Sequence, residues 1–284
     1  MINTLVRPAD INDHQQLSNL ISFETRLHRH LDWRSPLEWL GAPFYWALEE
    51  GKRITAALAC PNEITGIAWV RLFVYAGHWS ADNAWNILWS TAKYDIARTG
   101  GATVAAIAMQ PWFQTLLAAN GFINRQQIVM LEWQYQPWAA REAEGIRIRK
   151  MTESDLPEVE RIDAASFDPL WQNPLGSLQR AFSQSLFAMV AEEKQGIVGY
   201  QITTGGRQRA HLARLAVHPT AQGRGLGKAL LSDLFRVLTH NGTSRLTVNT
   251  QNDNVPSLKL YQRMGFVRTG EQYPVYTLEV PAGV

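Results

Sequence analysis

From His211 to Val217 bulky apolar residues alternate with smaller or polar ones, a period of two that predicts a strand. Pro219 closes it, because proline cannot donate to the next ladder bond. Beyond it Leu230, Leu231, Leu234, Val237 and Leu238 recur at the spacing of one helical face and predict a helix. The same reading places a strand at 146–149 and a helix at 153–164 opened by Thr152 or Ser154. It then gives a hairpin of strands at 186–192 and 196–203, and a strand at 245–249. A helix at 257–264 is stopped by Gly265, and strands start at Phe266 and Tyr276.

The segment joining the strand at 211–217 to its helix carries the most chemistry. Gly223, Gly225 and Gly227 lack Cβ atoms, so the chain can turn tightly and aim successive N–H groups at one anion. The positive end of the following helix adds to that attraction, which suits a phosphate. Two known phosphate loops fail on these residues. A Walker loop needs glycine in place of Gln222 and Ser or Thr in place of Ala229. A dinucleotide fingerprint read from Gly225 needs its third glycine at Leu230, and no acidic residue follows at the expected distance in a second strand.

Gln222, Gly225 and Gly227 do fill the pattern Gln/Arg-x-x-Gly-x-Gly/Ala. Further on, Asn254, Ser257, Leu260, Tyr261, Gly265 and Phe266 reproduce Asn-x-x-Ala-x-x-Leu-Tyr-x-x-x-Gly-Phe, with Ser for Ala. In these two ordered motifs the chain resembles the GNAT superfamily of acyl-CoA-dependent N-acetyltransferases. The resemblance implies an α/β (α+β) fold with a mixed central sheet flanked by helices, and acetyl-CoA as co-substrate. It also implies that Leu215, Ala216, Val217, Gln222, Gly223, Arg224, Gly225, Leu226, Gly227, Lys228 and Asn254 bind the coenzyme.

An internal repeat accounts for the 284 residues, which suffice for two domains. Arg7 to Asp13 reads like Arg149 to Asp155, Leu72-Phe73-Val74 like Leu215-Ala216-Val217, and Asn120-Gly121-Phe122 like Met264-Gly265-Phe266, at offsets of 142, 143 and 144. The expectation is two tandem GNAT folds, a degenerate one at 1–139 and a catalytic one at 145–284, joined within 136–145. Moved back by 143, Gly225 and Gly227 land on Asp82 and Ala84, and Tyr261 moved by 144 lands on Leu117. A carboxylate at the cradle would repel a pyrophosphate by about 4 kcal/mol at ~4 Å and an effective dielectric near 20. The first half is therefore expected not to bind acyl-CoA in the usual way.

Composition narrows the partners. A net charge of +2 without long basic runs gives no reason to expect nucleic acid or an anionic membrane. Cys60 is the only cysteine, which excludes an internal disulfide and suits a reducing compartment. No signal peptide or spanning helix is evident, so the expected location is the cytoplasm. Ten of the 11 tryptophans lie at or before Trp138, and Trp85 and Trp89, at helical spacing, are read as packing the core or the interdomain face, with an aromatic ligand pocket as the sharper alternative. His28 and His30, two apart with no further ligand, do not suggest a metal, and none is expected.

Acetyl transfer to an amine requires that the amine lose a proton, that an oxyanion be stabilised, and that the departing thiolate gain a proton. His211 stands where some family members carry a catalytic Glu, and could relay the first proton or simply close a strand edge. Strict alternation sends Arg214 to the opposite face. The resemblance implies oxyanion-stabilising N–H groups around Leu215 to Val217 and makes Tyr261 the general acid. Loops at 167–174 and 271–274 are the expected acceptor-side elements, with peptide N-termini and small primary amines both open as acceptors. The tandem arrangement is also similar to that of the mycothiol synthases, in which one of two GNAT halves is active. A non-catalytic acyl-CoA sensor with a protein-binding first half is the alternative of another class. The oligomeric state is open.

Overall fold

The structure, a computed structural model, describes residues 4–24, 26–30, 32–134, 146–206 and 208–283. In chain order the first elements are β1 (Thr4–Pro8), α1 (His14–Phe23), β2 (Leu27–Arg29), β3 (Tyr45–Glu50), β4 (Arg53–Ala59), β5 (Ile67–Trp69) and β6 (Leu72–Tyr75). They are followed by α2 (Ala81–Arg98), β7 (Ala102–Ile107), α3 (Pro111–Ala119) and β8 (Ile123–Gln134). Then come β9 (Arg147–Lys150), α4 (Leu156–Ser166), α5 (Leu175–Ser183), β10 (Phe187–Glu193), β11 (Gly196–Gly205) and β12 (Arg209–Val217). The chain closes with α6 (Leu226–His240), β13 (Arg245–Gln251), α7 (Val255–Arg263) and β14 (Val267–Val280).

The chain divides into two compact units, but not at one point. Met1–Gln126 with Tyr273–Val284 forms the first, and Gln127–Gln272 the second. This differs from the expected halves 1–139 and 145–284. The reason is strand pairing: β8 from Ile128 on pairs with β13 in the second unit, while β14 from Val275 on pairs with β7 in the first. The strands expected at Phe266 and Tyr276 are one element, β14. The expected joint at 136–145 lies outside the described residues apart from its neighbours.

In the first unit β1, β3, β4, β6 and β2 pair in that order, and β5, β7 and β14 in theirs. Alternate residues of β3 face opposite ways, as the strand period of two requires. Trp46 and Leu48 join Trp85, Leu88 and Phe113 of α2 and α3, while Tyr45 and Ala47 join Leu17 and Leu20 of α1. Trp85 and Trp89 are buried and stack at 5.4 Å, so they are core residues. The second unit orders its strands β8-β13-β12-β11-β10-β9, with only β12 and β13 parallel. Helices α4 and α5 cover one face and α6 and α7 the other.

The repeat is visible in side-chain contacts. Arg7 binds Asp13 at 2.7 Å and Glu49 at 2.8 Å; Arg149 binds Asp155 at 2.7 Å and Glu192 at 3.1 Å. Each Asp also accepts from a backbone N–H three residues earlier, Asp10 or Thr152, so one arginine fixes the start of the first helix to the hairpin in both units. The Arg149 guanidinium holds the Asp155 carboxyl down to about 2.

Candidate functional site

The turn between β12 and α6 is built for an anion. Gly223 and Gly225 have φ of 78° and 84°, a left-handed conformation that favours glycine. A Cβ at either would meet nothing within 4 Å, so the space over the turn is open. Gly225 is the N-cap of α6 and supplies no side-chain cap. Among the described residues the N–H groups of Gly223 to Lys228 find no acceptor in the chain, and the first turn of a helix leaves such donors unmatched. Six residues thus point donors and a helix dipole at one spot.

Several predicted coenzyme contacts have other partners here. The Gln222 amide donates to the Val217 carbonyl at 3.0 Å and ties the turn to the strand end. Arg224 is paired with Glu193 at 2.6 Å across the hairpin, whereas Lys228 is exposed. Leu226 is buried with Met189, Ala191 and Leu230, so only its backbone faces the turn. Gly227 has an ordinary backbone, but a Cβ there would come 2.9 Å from Leu260 Cδ2; its smallness lets α6 approach α7. Asn254 is the N-cap of α7 and accepts from Ser257 N–H at 3.2 Å.

Next to the turn the sheet opens. β12 pairs with β13 only from Arg209 to Leu212, after which the two strands part while each continues. At that point the β11 pairing slips: Thr203 faces Leu212 and Ile202 faces Arg214, leaving Ala213 as an extra residue. The edge of Leu215, Ala216 and Val217 that faces away from β11 therefore has no strand partner among the described residues. The N–H groups of Leu215 and Val217, which point away from β11, line the slot where the strands part.

The bulge overturns the expected orientation of Arg214. Because the register skips one residue, Arg214 shares a face with His211, the face covered by α4. Arg214 Nε and Nη2 donate to the two oxygens of Asp163 at 2.7 and 2.8 Å, and Nη2 also donates to the Trp171 carbonyl at 2.6 Å. The guanidinium lies 3.6 Å from the Phe167 ring centroid. Asp163, fully buried, accepts in addition from the Tyr200 hydroxyl and from Asn173 N–H at 2.7 Å. This network fastens the predicted acceptor-side loop at 167–174 to the bulged strand. Sequence reasoning missed it because its partners are 51 residues apart.

The two candidate catalytic side chains approach from opposite faces. His211 sits one pair before the slot opens, and its Nδ1 lies 2.9 Å from Thr247 Oγ1. Burial lowers its pKa, partly offset by a hydrogen bond to Asn249. Tyr261, on α7, packs with Leu212 and Val248 on the other face. Among the described residues its hydroxyl has no hydrogen-bond partner. Burial raises its pKa, and the positive charge of Arg214 works against that rise. The slot is where both faces meet. Among the described residues no group of three or more His, Cys, Asp and Glu side chains could hold a metal ion.

The first unit lacks these features. Its connection from β6 to α2 is five residues (76–80) against eight (218–225) in the second unit, and α2 is capped by Ser80, whose hydroxyl accepts from Asn83 N–H at 3.1 Å. The turn is thus shortened as well as altered, and Asp82 lies in the first turn of α2 rather than at the tip of a loop. Leu117, in the place of Tyr261, is buried core.

Residues 156–266 match the Acetyltransferase (GNAT) family, and that stretch is a GNAT acetyltransferase domain. The chain is 32% identical over 161 residues to a mycothiol acetyltransferase of Saccharomonospora viridis, covering 49% of this chain and 52% of that protein. It is 29% identical over 200 residues to a mycothiol acetyltransferase of Gordonia bronchialis, covering 64% of each. The chain thus spans about half to two thirds of the curated relatives it matches. Among solved structures it shares its fold with a tandem GNAT protein from the clavulanic acid biosynthesis pathway, at TM-score 0.65 and 17% identity over 99% of this chain and 100% of that one. A GCN5-related N-acetyltransferase from Sphaerobacter thermophilus gives TM-score 0.64 at 16% identity over 99% and 97%. The first unit is therefore GNAT-like by fold as well.

Proposed function

We propose that this chain is an acetyl-CoA-dependent N-acetyltransferase that moves an acetyl group to a primary amine by direct attack, with the second unit catalytic. The observation that carries this reading is the continuity of the open glycine cradle with the unpaired edge of β12. A diphosphate fits the cradle, and a chain bearing amides fits an edge that offers strand-like donors and acceptors. Acetyl-CoA has both parts and supplies the activated acyl group as a thioester. Gly223 to Lys228 would hold its diphosphate by backbone N–H groups, and Leu215 to Val217 its arm.

The remaining residues divide the proton work. Thr247 Oγ1 lies 2.9 Å from His211 Nδ1 and Asn249 hydrogen-bonds the same ring, so the amine must displace one of these partners to hand its proton to the imidazole. A lowered pKa keeps that imidazole neutral near pH 7, as a base must be. The N–H groups lining the slot face the developing oxyanion. From the other face Tyr261 donates to the departing thiolate, and Arg214 eases the loss of its proton.

The test is acetyl-CoA turnover over a panel of peptide N-termini and small primary amines, for the natural chain and for Tyr261→Phe. Turnover on at least one amine, falling by 10²- to 10⁴-fold in the variant, is expected. Coenzyme binding with no turnover on any amine would instead favour an acyl-CoA sensor. The names of the relatives favour a mycothiol-type acceptor as one member of the panel.

A further inference from the structure

The first unit repeats the parting of strands that opens the slot in the second. β5 pairs in parallel with β7 at Ile67↔Thr103, as β12 pairs with β13 at Arg209↔Arg245, and the pairing stops at Trp69↔Ala105. β6 continues the line of β5, and β4 takes one of its edges, with Ala57 opposite Val74 and Leu58 opposite Phe73. The other edge corresponds to the unpaired edge of β12, yet it is filled. Leu27, His28 and Arg29 of β2 pair antiparallel with Val74, Phe73 and Leu72, and His30 N–H donates to the Arg71 carbonyl at 3.0 Å.

The inserted strand is anchored from both sides. The His28 ring stacks on Phe113 of α3 at 4.0 Å, and its Nε2–H donates to the Val70 carbonyl at 3.0 Å, where the β7 pairing ends. Phe113 takes the place on α3 that the smaller Ser257 has on α7. His28 is 4% exposed.

We infer that the first unit carries a strand-binding groove whose ligand is extended polypeptide, supplied in cis by residues 27–30. That this groove stands where the second unit holds the arm of acetyl-CoA rests on the functional reading given above. A slot between parting strands exposes backbone donors and acceptors on one edge, and each unit satisfies them differently. Strand addition is a standard way to fill such an edge.

The test is run on the full chain. Isothermal titration should give one acetyl-CoA per chain; Gly225→Asp should abolish it, and Gly225→Ala, which carries the same left-handed backbone strain without the carboxylate, should not. Hydrogen exchange should show the amides of His28 and His30, which face β6, protected with and without saturating acetyl-CoA, while those of Leu215 and Val217, which face away from β11, gain protection on its addition. Two coenzymes per chain, one coenzyme retained by Gly225→Asp, or loss of protection at His28 and His30 on adding acetyl-CoA would overturn the inference. So would exchange of those two amides at the unfolded rate, whatever the second unit does. Absence of any binding by the natural chain, with His28 and His30 protected, would remove the functional reading of the second unit and leave the groove standing.

Discussion

Arg214 and His211 share one face of β12 although three positions separate them, because Ala213 is an extra residue opposite the step from Ile202 to Thr203. Without that bulge the guanidinium would enter the core beneath α6. With it, the guanidinium meets Asp163 on α4, so one inserted residue decides where the only fork-shaped cation of the strand's slot end is placed.

Asp163→Asn should be costly. Removing one partner of a buried ion pair leaves the other uncompensated, at about 3–5 kcal/mol. The double change Asp163→Leu with Arg214→Met, which leaves no orphan charge, should lose less than either single change. Urea unfolding of Asp163→Asn, the two single changes and the double variant checks this; a double variant no better than Asp163→Asn would mean that the network's worth lies outside the pair.

The fold was legible where local pattern and backbone need coincide. The strand from His211 to Val217, the helix after Gly225 and the αL glycines all follow from residues within a few positions of one another. The exchange of β8 and the end of β14 was not, because nothing in the pattern of a strand says which unit it pairs with. The face of Arg214 was misread for a related reason, since a bulge is a property of two strands. Helix α5 went unread although Leu175, Leu178, Ala181 and Phe182 recur at helical spacing. Gly227 was legible as a glycine but not in its role, which depends on Leu260 across the fold.

Gly227→Val should crowd the end of the Leu260 side chain, which can swing aside, so the overpacking cost should sit near the lower end of about 1–3 kcal/mol. Leu260→Ala opens the space that the new side chain needs, so the double variant should recover part of the loss. A thermal double-mutant cycle measures the coupling. Additive effects would show that Leu260 is not what Gly227 makes room for.

Asn254→Ala should cost about 1 kcal/mol as the loss of a helix N-cap. If capping is its whole role, the Kd for acetyl-CoA stays within experimental error of the natural chain. A clear rise in that Kd with α7 still folded would restore the coenzyme contact implied by the family pattern.

His211→Gln should remove a limb from the pH profile. Burial lowers the pKa of His211 from its ordinary value near 6.5, so kcat/KM of the natural chain should fall with acidity only below that value. The variant should be slower by 10²- to 10⁴-fold and flat in the same range. Equal acid limbs in both proteins would assign the base elsewhere.

Burial of His28 should make the fold sensitive to acid. Desolvation lowers its pKa to about 4, against about 6.5 in an unfolded chain. Between those values the unfolded chain takes up a proton that the native ring refuses, so stability falls as pH drops from about 6.5 toward 4, by about 3 kcal/mol in full. His28→Phe keeps an aromatic ring against Phe113 and gives up the hydrogen bond to Val70, worth about 1 kcal/mol. The variant should therefore be the less stable protein at pH 7 and close the gap, or overtake, at pH 4.5. His30, whose pKa is lowered first by burial and further by Arg71 and His28, loses the His28 part of that shift in the variant, which adds to the variant's advantage in acid. Urea midpoints at the two pH values decide it, and parallel losses in the two proteins would mean that the His28 ring is protonated in the native state.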